Sequence, residues 1–207
     1  MTDELVFYTH PRSRGRRARW MLEEVGAPYR TELLEYGTTM KSPEYLAINP
    51  MGKVPAIRHG ETTVTESAAI CAYLADAFPE ARLAPPVSAR GAYYRWLFFF
   101  AGPVEAAITN KYLGLELAPD QRGMAGYGSF EAVMDTLEQL FSSTEYIAGD
   151  SFSAADVYCG SHIGLGLQFG SIDDRAAFRD YWARISDRDA YRRACEIDDA
   201  LMTENSG

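Results

Sequence analysis

Lys53-Val54-Pro55-Ala56-Ile57-Arg58-His59-Gly60-Glu61-Thr62-Thr63-Val64-Thr65-Glu66-Ser67 is the stretch on which the fold turns. Its pattern predicts a strand over Val54 to Arg58, a reversal at His59-Gly60 and a second strand over Thr62 to Val64. A helix follows from about Glu66 to Phe78, with Ile70, Tyr73, Leu74, Ala77 and Phe78 on one face. Upstream, Leu5-Val6-Phe7-Tyr8 is a short apolar run of strand type. After the turn at His10-Pro11, Ala18, Met21, Leu22 and Val25 recur at the spacing of a helical face, and Gly26 stops that helix. Tyr29 to Leu34 reads as a strand, Ser42-Pro43-Glu44 opens a short helix with proline at its first position, and Asn49-Pro50-Met51-Gly52 is a turn. The order is β-α-β-α-β-β-α. A strand–helix–strand opening implies a parallel pair with a right-handed crossover, and the closing hairpin runs antiparallel to it.

Downstream, Pro79, Pro85 and Pro86 mark a connector, and no convincing strand follows. Phe130, Val133, Leu137, Leu140 and Phe141 form one helical stripe, and Phe178, Tyr181, Trp182 and Ile185 form another. The reading is therefore an α/β domain over residues 1–80 and an all-helical domain over residues 88–207, with a binding site expected in the cleft between them. A long helix from about Ser88 should kink at Gly102-Pro103, where proline removes a donor and clashes with the preceding turn.

The net charge of −9 argues against a nucleic-acid surface or a basic membrane patch. The apolar run from Trp96 to Ile108 is broken by Pro103 and Glu105 and falls short of the ~20 residues that span a bilayer. Acidic residues stand where a secretory leader would carry bases, and Cys71, Cys159 and Cys195 are odd in number and far apart. A cytoplasmic protein without disulfides is the expectation.

Several chemistries lack their residues. There is no Gly-x-Ser-x-Gly elbow and no Cys-x-x-Cys pair, and His10, His59 and His162 form no ligand cluster, so no metal is expected. Gly164-Leu165-Gly166 sits in a helical stretch and suits close helix packing. Pro55 opens a strand directly after a turn, which implies a constrained bond; were it cis, the Val54 N–H and C=O would face outward and could pair with an extended peptide. Glu66-Ser67 has two readings. Thr65 or Ser67 caps the helix while Glu66 complements its dipole, or Ser67 holds a ligand carboxylate and Glu66 a ligand ammonium. Five arginines between Arg12 and Arg19 oppose the dipole of the helix they open, at ~0.3–1 kcal/mol per exposed group. A compensating anion is expected: Glu23, Glu24, the acidic surface, or a bound ligand meeting Ser13. Phe152-Ser153-Ala154-Ala155-Asp156-Val157 matches a capping box, with Ser153 and Asp156 as a structural cap.

Together, Tyr8-x-x-Pro11-x-Ser13, Asn49-Pro50-x-Gly52-Lys53-Val54-Pro55, Glu66-Ser67-x-Ala69-Ile70-x-x-Tyr73-Leu74 and Ser153-x-x-Asp156 resemble the cytosolic glutathione transferases over nearly the whole chain. The match is to a bacterial member with a serine-type site. The resemblance implies a thioredoxin-like N-terminal domain that binds glutathione and a helical-bundle domain that lines the electrophile site. Tyr93, Tyr94, Trp96 and Phe98 to Phe100 are candidates for that lining, for core or for dimer contact. It also implies that Pro55 is cis, that Val54 pairs with the cysteinyl backbone, that Glu66 and Ser67 take the γ-glutamyl end, and that Lys53 lies near the glycyl carboxylate. Ser13 would activate the thiol, with Tyr8 and Thr9 as the alternatives. No cysteine stands there, a departure from bacterial classes that use one. The implied function is attack of glutathione, a substrate and not a cofactor, on a small apolar electrophile in detoxification, by a cytoplasmic homodimer without nucleic-acid or membrane partners. Two rivals remain open: a non-catalytic binding or regulatory protein of the same fold, and a glutathione-dependent peroxidase or reductase.

Overall fold

In the computed structural model, which describes residues 4–204, every side chain of strand β1 (Leu5–Thr9) is buried. A continuous apolar run, rather than an alternating one, is what a strand covered on both faces requires. β1 pairs parallel with β2 (Arg30–Leu33) and antiparallel with β3 (Ala56–His59), which in turn pairs antiparallel with β4 (Thr62–Thr65). The sheet order is β2-β1-β3-β4, the mixed four-stranded sheet of a thioredoxin-like domain. The hairpin closes one residue later than the sequence suggests. His59 still pairs with Thr62, so Gly60-Glu61 makes the reversal, and Gly60 supplies a φ of +57°.

Helix α1 (Gly15–Val25) is the crossover and ends at Gly26, whose φ of 67° lets its N–H return to the Leu22 carbonyl. Ser42 caps α2 (Pro43–Leu46) by accepting from the Tyr45 N–H, and α3 (Ser67–Ala77) buries Ile70, Cys71, Leu74 and Ala75.

The chain forms two compact units, the described residues up to Leu83 with those from Asp187 onward, and Ala84–Ser186. Helix α9 (Asp189–Glu204) thus belongs to the first unit. Its Tyr191 ring lies 4.8 Å from that of Trp20, and its Asp198 and Asp199 accept from Arg19 (2.7 Å) and Arg16 (2.8 Å) of α1. The compact units and the all-helical stretch from residue 88 are different sets of residues.

The second unit contains α4 (Gly91–Phe99), α5 (Glu105–Tyr112), α6 (Phe130–Ser143), α7 (Ala154–Phe169) and α8 (Ala176–Ser186). The described residues here carry no strand beyond an isolated bridge between Tyr146 and Gly149. α4 starts at Gly91 because Val87–Ala89 forms a separate 3-10 turn, and the kink at Pro103 takes the form of a π-turn over Phe100–Val104. Tyr93, Trp96 and Phe100 are core, whereas Tyr94 and Phe98 face outward. α7 is buried nearly all round. A Cβ at Gly160 would meet Ile185, one at Gly164 would enter the Trp182 ring, and one at Gly166 would strike Ile172. Among the described residues no helix is long and apolar enough to cross a membrane.

At the start of α7, Asp156 has no solvent exposure. Its carboxylate accepts from the Ile147 N–H (2.8 Å), the Ser153 N–H (2.9 Å), the Ser153 hydroxyl (3.0 Å) and the Tyr181 hydroxyl (2.9 Å). Burial pushes this carboxyl up, and the donated hydrogen bonds oppose that shift. The cap therefore also ties α7 to α8 and to the segment after α6. Removing it leaves these four donors without that acceptor, each unmade bond costing about 1–3 kcal/mol. Asp156→Ala is expected to lower the unfolding free energy by about 3–5 kcal/mol, more than the ~0.5–2 of an ordinary helix cap. Urea denaturation measures this, and an unchanged midpoint would show that the network carries no stability.

Candidate functional site

Register alone gathers three loops. Tyr8 of β1, Ala56 of β3 and Thr65 of β4 lie in one row across the sheet. Beyond that row, β1 runs out through Thr9 into His10–Ser13, β3 is entered from Lys53–Pro55, and β4 runs into Glu66–Ser67. Because β3 is antiparallel to both neighbours, all three segments leave at the same end of the sheet. Adjacent strands lie ~4.8 Å apart, so β1 and β4 are separated by about 10 Å. An extended tripeptide spans about 10–11 Å.

The middle segment is held from below. The Val54-Pro55 peptide bond is cis, Pro55 is buried, and Val54 precedes the first ladder pair, so its main chain lies outside the sheet. The Lys53 carbonyl accepts from the Tyr45 hydroxyl (2.6 Å) and from Asn49 Nδ2 (2.7 Å). Burial pushes the Tyr45 phenol up to about 12, which keeps it a neutral donor. Gly52 has a φ of +56°, and a Cβ there would lie 2.6 Å from the Met40 carbonyl oxygen, so only glycine passes. The Lys53 side chain is exposed. Sequence reasoning quoted Asn49 only as part of a turn and missed Tyr45, whose role depends on a contact eight residues away.

Glu66 stands at the cap position of α3 with φ 67° and ψ 121°, and no side chain caps the helix. The capping role considered for Thr65 or Ser67 is therefore not what the structure forms. A non-glycine residue at positive φ costs of order 1–3 kcal/mol and is held there by its surroundings. The Glu66 side chain is exposed, and Ser67, nearly buried, begins the 11-residue helix.

At the β1 end, the three candidate hydroxyls differ sharply. The Tyr8 side chain is buried against Tyr45, ring centroids 5.7 Å apart. Thr9 is fully buried, its Oγ1 facing Gly15, where an added Cβ would come within 1.9 Å. Ser13 alone is partly exposed. Its hydroxyl donates to the His10 carbonyl (2.6 Å) and accepts from the Gly15 N–H (2.9 Å) at the start of α1. Cys71 cannot stand in for a reactive thiol, since it is fully buried and burial pushes it up to about 12.

Two arginines of α1 find their anions in α9. Arg16 pairs with Asp199, and Arg19 with Asp198. Glu23 and Glu24, two of the alternatives for the compensating anion, pair with Arg193 (3.2 Å) and Arg188 (2.6 Å). Ser153 and Asp156 lie in the second unit and belong to its folding.

Comparison with known proteins agrees with this geometry. The family model described as glutathione S-transferase, N-terminal domain, matches residues 13–77. Glutathione S-transferase F9 of Arabidopsis thaliana is 30% identical over 174 residues, covering 73% of this chain and 77% of that protein. Glutathione S-transferase GstA of Escherichia coli O157:H7 is 27% identical over 168 residues, covering 78% of each. Among solved structures, the glutathione transferase from Methylococcus capsulatus str. Bath superposes with a TM-score of 0.78 at 25% identity, covering 95% of this chain and 99% of that one. A sphingomonad glutathione S-transferase complexed with glutathione gives 0.75 at 26%, covering 93% and 98%. Three loops arrayed at a tripeptide's spacing, a serine at the head of α1 and these relatives lead to one assignment: the chain belongs to the glutathione S-transferase family.

Proposed function

We propose that this enzyme, a glutathione transferase, activates the thiol of glutathione through Ser13 and directs it at a small apolar electrophile. The observation that carries the choice of residue is the setting of Ser13: of Tyr8, Thr9 and Ser13 it is the one residue only half-buried, and its hydroxyl is bonded to the N–H that opens α1. In this reading the γ-glutamyl end lies at Glu66 and Ser67, with its carboxylate at the start of α3. The cysteinyl backbone pairs with Val54 beside Pro55, and the glycyl carboxylate lies near Lys53. The thiol then points from the β3 loop toward Ser13.

A free thiol with a pKa of ~8.5 is only a few per cent ionised at neutral pH, and the thiolate is the nucleophile. The Ser13 hydroxyl donates to the neutral His10 carbonyl. A thiolate is a stronger acceptor, worth roughly 1.5–3 kcal/mol, so the hydroxyl turns toward it. The Gly15 N–H, by donating to the same oxygen, polarises it into a better donor. With one pKa unit equal to 1.36 kcal/mol, this bond lowers the thiol by about one to two units, and α1 adds to it. Ser13 needs only to donate, not to act as a base.

We also infer a homodimer of the reducing cytoplasm. Tyr94 and Phe98 stand 43% and 72% exposed one turn apart on α4, an apolar face that a second copy would cover, and Cys71, Cys159 and Cys195 form no disulfide.

Ser13→Ala is expected to raise the pKa of bound glutathione by about one to two units and to slow a fast electrophile ten- to a hundredfold at neutral pH, with partial recovery in alkali. Tyr8→Phe should change neither. Thiolate ultraviolet absorbance of the enzyme–glutathione complex across pH reads this directly. A shift in Tyr8→Phe with none in Ser13→Ala would transfer the role to the tyrosine, and no thiolate at neutral pH in the parent protein would favour a non-catalytic binder. Replacing Glu66 and Ser67 together by alanine should weaken glutathione at least tenfold by calorimetry, since each charged hydrogen bond lost costs about 1.5–3 kcal/mol. Unchanged titrations would place the γ-glutamyl end elsewhere. Sedimentation should give the mass of two chains, and a single-chain mass at micromolar concentration would remove the dimer.

A further inference from the structure

The segment that carries Ser13 is clamped by side chains to which the function has so far given no part. His10 Nδ1 accepts from the Arg12 N–H at 3.1 Å. The Tyr36 hydroxyl donates to the Arg12 carbonyl at 3.3 Å, and the Tyr36 ring covers the His10 imidazole with centroids 4.7 Å apart. Both main-chain polar atoms of Arg12 are thus engaged, one by each side chain. The His10 carbonyl is also the acceptor on which the Ser13 hydroxyl rests. One residue therefore touches the serine loop twice, through its ring at Arg12 and through its main chain at Ser13.

The chemistry of the ring follows from that contact. A nitrogen that accepts an N–H carries no proton, so the acting form is the neutral imidazole protonated at Nε2. Nε2 lies 3.6 Å from the Glu35 carboxylate, which faces it from the segment after β2. We propose that His10 is the positioning residue of this active site: its neutral imidazole fixes the Arg12 peptide, and thereby sets where the Ser13 oxygen meets the glutathione sulfur. This rests on the reading of Ser13 as the thiolate donor and assigns what holds that donor in place. A hydroxyl displaced by a few tenths of an ångström gives a long, bent hydrogen bond to sulfur, and such bonds weaken steeply. The loop does not need a histidine for its charge. It needs an acceptor at the Nδ1 position, and an asparagine Oδ1 supplies one from a shorter side chain.

The test uses His10→Ala, His10→Asn, Ser13→Ala and the double variant His10→Ala with Ser13→Ala. Each is read by thiolate absorbance of the glutathione complex across pH and by kcat and KM with a nitro-activated aryl chloride. His10→Ala is expected to shift the thiolate titration upward and to lower kcat at neutral pH about two- to tenfold, the loss of one ordinary hydrogen bond, with the glutathione KM within about twofold of the parent. His10→Asn should retain the parent titration. The double variant should be no worse than Ser13→Ala, because His10 acts only through that hydroxyl. Equal losses in His10→Ala and His10→Asn, a silent His10→Ala, or a double variant that adds the two losses would each overturn the proposal while leaving Ser13 its role. A Ser13→Ala variant with unchanged thiolate would instead remove the reading on which both stand.

Discussion

The constraint on which the rest of this molecule depends is the position of β3, antiparallel between β1 and β4. An antiparallel neighbour brings the entrance of one strand beside the exit of the next. Lys53–Pro55 therefore falls between the loop after β1 and the loop after β4, and no side chain has to enforce the grouping. Hydrogen bonds perpendicular to the strands set the spacing of the three segments at the strand interval. A ligand of peptide dimensions then matches the site because the site is itself built on a peptide lattice. Slipping β3 by one residue would turn Ile57 from the core to the opposite face, so burial of that side chain also protects the register.

Rigid supports around this row convert position into chemistry. Tyr45 and Asn49 hold the Lys53 carbonyl from inside, and Tyr45 at the same time backs the ring of Tyr8. One buried tyrosine thus joins the β1 and β3 ends of the site. Arg19 plays the equivalent part beneath α1. Its guanidinium is nearly fully buried, donates to Asp198, Tyr29 (3.1 Å) and Thr31 (3.3 Å), and lies 5.1 Å from the Phe7 ring centroid. Burial pushes the Asp198 carboxyl up and the nearby guanidinium pulls it back. Breaking a pair of this kind leaves an uncompensated buried charge, a cost of about 3–5 kcal/mol. The helix that follows Ser13 is consequently fixed to α9 both in its first turn, through Arg16, and at its middle, through Arg19.

Much of this was legible in the residue order, and the boundary between the legible and the hidden is physical. Gly26, Ser42-Pro43 and Pro55 announce themselves because each answers a local backbone requirement. Apolar spacing located β1, β3, β4 and the helices for the same reason: burial on one face is a local pattern. The hairpin was misread by one residue because His59 and Gly60 both suit a turn, and only pairing with Thr62 decides between them. Contacts between distant segments left no such mark. Nothing near Tyr45 signals that its hydroxyl reaches Lys53, and nothing near Arg16 or Arg19 signals that their partners are Asp199 and Asp198. Glu66 gave no hint of its positive φ, since residues of its type seldom adopt one.

The placement of α9 in the first unit has a consequence for the order in which the chain can fold as it is made. Arg19 and Asp198 are 179 residues apart. At about 5–20 residues per second, a ribosome needs roughly 10–40 s to travel from one to the other. Throughout that interval Arg19 lacks the carboxylate it holds in the finished fold. The first unit, although most of it comes early in the sequence, therefore completes its core only once α9 has been made.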